Sequence, residues 1–186
     1  SLLPRESRAP MVPQPGRRVP PLEPQELGEE IAPNVARRHR QEVKGLLVSL
    51  DLDLALEHLE SAEHRLLDGG RPERVQAALS MSLMLAEVAD ELFPARTEDW
   101  TDLDDVPREV GAENVKNRLL AFADRYLKDR PVEERKLLVA ELDFIYRWTG
   151  KGHHVVFSRI ENEDAYCALL KALATVARAH RDVVEN

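Results

Sequence analysis

Cysteine is almost missing from this chain. Cys167 is the only one, so no internal disulfide can form, which argues against a small secreted scaffold held by cross-links. Aromatic residues are scarce, at 5% of the total, whereas Ala, Leu, Glu and Arg abound. Straight-chain side chains lose little rotamer freedom in a helix, so this balance favours helices over sheets. No run of about 18 apolar residues occurs, which leaves nothing to span a membrane as a helix. The first residues also lack the hydrophobic region of a signal peptide. A reducing, cytoplasmic location with no membrane partner is the simplest expectation.

Other motifs are absent too. There is no glycine-rich phosphate loop, no strand-to-helix nucleophile elbow and no dinucleotide fingerprint. Zinc would want about four well-spaced ligands, and one cysteine with scattered histidines does not present them. No cofactor and no metal is expected. The formal net charge of -8 disfavours broad electrostatic binding of nucleic acid, so any such site must be a local basic cluster.

What is present suits one domain with a tail. The 186 residues are 43% hydrophobic and 32% charged, enough for a packed core under a well-solvated surface. Residues 1–26 hold seven of the twelve prolines and four arginines, with little apolar surface to offset ordering. They read as a disordered leader or linker, and a chain that starts at Ser1 rather than Met reads as a fragment or a trimmed chain. Residues 27–186 read as the helical domain.

Hydrophobic periodicity divides that domain. A helical stretch runs from Asn34, a plausible N-cap, to Leu67, before the stop signal Gly69-Gly70. Its middle alternates like a strand from Val48 to Leu56, so the stretch is read as a helix that can break near Ser49 to Asp53. Arg71-Pro72 restarts the chain with proline in a first turn. From Val75 to Phe93 apolar residues, among them Leu79 and Leu83, nearly encircle the helix, which predicts a central place in a bundle. Pro94 ends it, and 95–111 reads as a long acidic loop. Further helices are expected over 112–127, from Pro131 to Thr149-Gly150 with a Leu137, Leu138, Leu142 and Ile145 stripe, and from Glu161 to the end with a face that includes Tyr166, Leu170 and Val183. The fold class is therefore all-α, an antiparallel bundle of four or five helices.

One segment departs from the helical pattern: Tyr146-Arg147-Trp148-Thr149-Gly150-Lys151-Gly152-His153-His154. It puts an arginine at a helix end and two histidines in the following turn, with Lys151 and Arg159 as nearby phosphate-binding charges. Histidine titrates near neutrality and can take a proton from a ribose hydroxyl or return one to a leaving oxygen. Arginine can donate paired hydrogen bonds to a phosphate as charge develops. Beside that chemistry stands a plainer account, since Gly150 suits a helix C-terminus and loop histidines are common.

The remaining polar residues support weaker readings. Glu87 and Asp90 sit in an otherwise apolar helix, where either would orient Arg147 or His153 if buried, or form a solvent-facing stripe. Asn117 and Arg118 line a polar pocket or cap packing at the helix surface. His39, His58 and His64 are expected in solvent, as is the Arg37-Arg38-His39-Arg40 run. Cys167 is expected in the core.

Arg147 followed by His153 or His154, between the last two helices of a bundle, resembles the HEPN superfamily, whose hallmark is arginine followed four to six residues later by histidine. The segments from Ala86 to Pro94, from Glu113 to Leu119 and from Gly150 to His153 also look like HEPN-like proteins of abortive-infection and antiphage systems. The similarity spans about Leu54 to Val184. It implies a four-helix core, a homodimer, and a composite cleft in which Arg147 and His153, or His154, cleave RNA without a metal ion. Trp148 departs from the pattern, because a small polar residue usually follows the arginine. Members that only dimerise, bind a protein partner or sense a nucleotide form the alternative class.

Overall fold

The computed structural model describes residues 33–151 and 159–186. Among them are six helices: α1 (Pro33–Ser49), α2 (Asp53–Asp68), α3 (Arg71–Leu92), α4 (Val115–Leu127), α5 (Val132–Lys151) and α6 (Arg159–Glu185). The expected all-α class holds, with six helices among the described residues where four or five were expected. The leader expected over 1–26 lies outside the described residues.

The extra helix comes from the break. α1 ends with Asp51 in the left-handed region at φ 57°. The amides of Leu52 and Asp51 fold back onto the carbonyls of Leu47 (2.9 Å) and Val48 (3.1 Å), which closes α1 with a Schellman turn. The alternation through Leu50, Leu52 and Leu54 is thus a turn between helices and not a strand. Gly69, at φ 70°, closes α2 in the same hand, and Pro72 follows in the first turn of α3. Other boundaries shift slightly. α1 begins at Pro33, before its expected cap Asn34; α5 continues to Lys151; α6 starts at Arg159.

α2 and α3 form a close hairpin, while the long α6 packs against α1, α4 and α5. Buried Tyr166, Leu169, Leu170, Leu173 and Val176 of α6 meet the apolar faces of its neighbours, including Val43, Leu46 and Leu47 from α1. α3 is less central than its composition predicts. Met81, Met84, Leu85 and Val88 are buried, but Leu79 and Leu83 remain 48% and 44% exposed. Leu137 and Val183, also expected to be buried, are exposed as well.

The acidic loop carries a short antiparallel pair, β1 (Trp100–Thr101) and β2 (Pro107–Arg108). Its centre is Asp102, whose buried carboxylate accepts hydrogen bonds from the amides of Asp104 (2.8 Å) and Val106 (3.0 Å) and from Arg108 Nε (2.6 Å). Burial alone would raise its pKa; Arg108 and the two amides outweigh that and hold it down to about 2. Arg135 from α5 joins this centre, reaching Asp124 of α4 through two bonds (2.9 and 3.2 Å) and Asp104 at 2.9 Å. The hairpin, α4 and α5 are clasped there.

A second buried centre ties α1, α2 and α6. Glu63 accepts from Arg40 Nε (2.6 Å) and Nη2 (3.1 Å) and from the Tyr166 hydroxyl (2.7 Å). Arg40 was expected in solvent with the rest of its basic run. It is instead committed to a carboxylate with no exposure, because an unpaired charge there would cost several kcal/mol, of order 3–5.

Candidate functional site

The site begins with Trp148. Its indole is 1% exposed, and its Nε1–H donates to Asn162 Oδ1 at 2.7 Å, bridging α5 to α6. A helix turns by about 100° per residue. Burying Trp148 therefore directs the preceding Arg147 away from the core, and Arg147 is exposed. Its guanidinium lies over the Phe144 ring, 5.7 Å from the centroid, and no carboxylate among the described residues pairs with it. The position after the arginine, usually small and polar in the resembled family, here holds a core anchor.

Arg147 opens onto a wide groove of about 690 Å³, lined also by Lys116, Ala140, Asp143 and Tyr146. Lys116 comes from the first turn of α4 and pairs with Asp143 at 2.7 Å. Tyr146 is half-buried, and its hydroxyl is pushed up by burial, so it stays a neutral hydrogen-bonding group at ordinary pH. The groove offers two cations, one of them paired with no described carboxylate, beside the Tyr146 ring. Such a set can hold a phosphate oxygen and stack a base or sugar.

Lys151 is the last residue of α5 and Arg159 the first of α6. His153 and His154 lie outside the described residues. Glu87 and Asp90 do not meet Arg147. Asp90 is exposed and pairs with Arg118 at 2.7 Å, and Glu87 lies 3.4 Å from His58 Nε2. Arg118 is buried, donating also to the carbonyls of Phe93 (3.3 Å) and Ala112 (2.9 Å), where it closes the end of α3. Asn117 donates to the Glu109 carbonyl at 2.9 Å. Arg118 and Asn117 hold the returning loop and do not line the groove.

Sequence reasoning missed Lys116 and Asp143. The signal was weak, since only the antiparallel docking of α4 on α5 brings these two positions together. It also missed four buried carboxylates: Glu63, Asp102, Asp124 and Glu141. Cys167 and His58 are half-buried and His64 is exposed. His39 is half-buried, with a pKa lowered first by burial. Among the described residues, no group of three or more His, Cys, Asp or Glu is placed to hold a metal ion. None of their helices is long and apolar enough to cross a membrane. In comparisons with protein-family models, curated proteins and solved structures, nothing matches this chain.

Proposed function

We propose that this chain is a HEPN-like helical domain that works as a homodimer in a defence or toxin system and cleaves RNA without a metal ion. Arg147 contacts the scissile phosphate, Lys116, Lys151 and Arg159 bind flanking phosphates, and His153, or His154, moves the protons. The 2′-oxygen attacks phosphorus while histidine takes its proton. The bond to the 5′-oxygen breaks, that oxygen leaves with a proton, and a cyclic phosphate remains. Arg147 stabilises charge on the phosphoryl oxygens as it accumulates.

The observation that carries this reading is the exposed guanidinium of Arg147, held outward by the buried Trp148 and paired with no described carboxylate. A structural arginine in this fold is surrounded by acceptors, as Arg40, Arg118 and Arg135 are. A second reading, a non-catalytic dimerisation or protein-docking module, is favoured by the exposed leucines of α3, Leu79 and Leu83.

Purified protein incubated with RNA in the presence of chelator separates the two. Cleavage is expected, with a fall of about 10²–10³-fold in Arg147→Ala and loss in the His153→Ala/His154→Ala double variant. Absence of cleavage by folded wild type, together with dissociation of the dimer by Leu79→Glu/Leu83→Glu, favours the docking module.

A further inference from the structure

Away from the Arg147 groove, a smaller cavity of about 220 Å³ opens between α4, α5 and α6. Its residues include Tyr126, Leu137, Leu138, Glu141, Thr175 and Arg178. Glu141 is only 8% exposed, and no donor among the described residues reaches its carboxyl group. The other buried carboxylates of the fold behave differently: Glu63, Asp102 and Asp124 each accept from at least one arginine. The Glu141 oxygens are not sealed off, since the fully buried polar atoms without a partner among the described residues are His39 Nδ1 and Arg118 Nε; the carboxyl opens to the cavity, where a donor from outside can reach it.

We propose that this cavity binds a small organic monocation, an ammonium or guanidinium head on a short aliphatic stem, with the head on Glu141. The inference is independent of the Arg147 reading. Three features of the walls select this chemistry. The hydrophobic stem has Leu137 and Leu138 to lie against. The Thr175 hydroxyl is already engaged, donating to the Lys171 carbonyl (3.3 Å) and accepting from Arg178 Nη2 (3.1 Å), which leaves Glu141 as the open acceptor. The rim already seats a guanidinium: Arg130 lies 5.6 Å over the Tyr126 ring and makes two bonds to Glu134 (2.8 and 3.1 Å).

The charged groups facing Glu141 set the limits. Burial raises its pKa to about 7, and Lys171 and Arg178 of α6 pull it down without closing on it. Arg130 is neutralised by Glu134 at the rim. Those two α6 cations oppose any added positive charge, so a single cationic head is the most the carboxylate can hold and a polyamine is repelled. Above pH 7 Glu141 is charged and binding is strongest; near pH 5 it is protonated and the cation loses its partner.

The test uses the full chain with butylguanidinium or butylammonium chloride as probe, and with butanol, butyrate and matched sodium chloride as controls. At pH 8, ten-fold probe over its Kd should raise Tm by roughly 3–6 °C, while Glu141→Gln should show no rise. The Glu141 carboxyl ¹³C resonance of the wild type should shift with the probe. Equal rises in wild type and variant, a rise without movement of that resonance, or no rise with either probe would each overturn the proposal.

Discussion

Arg135 and Arg147 lie on the same helix and carry the same charge, yet their surroundings are opposite. Arg135 is mostly buried and its guanidinium is divided among Asp124, Asp104 and Asp102. Arg147 is exposed, rests on one aromatic ring and pairs with no described carboxylate. The first arrangement leaves little for a ligand, since each of the three guanidinium nitrogens is engaged in holding the hairpin, α4 and α5 together. The second contributes almost nothing to folding, since it holds no two elements. Where charge serves stability it is surrounded by acceptors; where it is left bare at a groove, it is available for recognition.

That contrast can be broken most forcefully at Arg135. Arg135→Ala leaves Asp124 buried with no guanidinium and should cost about 3–5 kcal/mol in urea unfolding. Loss of under 1 kcal/mol would show that the clasp is decorative. A smaller, pH-dependent effect is expected at Glu141, the buried acid that no described donor reaches. Its pKa is raised above that of the unfolded chain, so the folded state binds the proton more tightly. Stability from this group is complete below pH 4.5 and is lost as pH rises through about 7. Glu141→Gln should therefore be more stable than wild type by about 1–2 kcal/mol at pH 8, with the gap closing near pH 4. Asp102 has the opposite sign: its depressed pKa of about 2 gives stability that is present above about pH 4 and is lost as pH falls towards 2. The smallest effect belongs to Arg147. Arg147→Ala should leave the unfolding free energy in urea within about 0.5 kcal/mol of wild type, whatever it does to RNA.

Much of the helical layout was legible because its signals are local. Gly69-Gly70 with Pro72 marked the α2–α3 turn, and the competing alternation from Val48 to Leu56 marked the place where α1 closes on Asp51. Periodicity also found the buried face of α6. What it could not supply was the partner of a charge. Glu63 and Tyr166 are 103 residues apart, and nothing near either one announces the bond. The basic run containing Arg40 looked solvated for the same reason. The exposure of Leu79 and Leu83 likewise depends on how α3 rolls against α2, which composition does not encode. At the candidate site, the outward position of Arg147 follows from Trp148 only once Asn162 is seen to receive its indole. Glu87, Asp90, Asn117 and Arg118 were grouped with the site by chemical type, but Asp90 and Arg118 pair with each other, Asn117 serves the returning loop, and Glu87 faces His58.

The position of α6 has a consequence for the order in which the molecule can be assembled during synthesis. α2 and α3 are neighbours in sequence and can pair as soon as both have left the ribosome. The apolar faces of α1, α4 and α5 are covered by α6, which emerges after all of them. Until it does, Val43, Leu46 and Leu47 have lost no solvent to their principal cover, and the nascent chain carries exposed leucine surface of the kind chaperones bind. Closure of the domain then waits on long-range docking, so its folding rate is governed more by the arrival of this last helix than by the speed at which any helix forms.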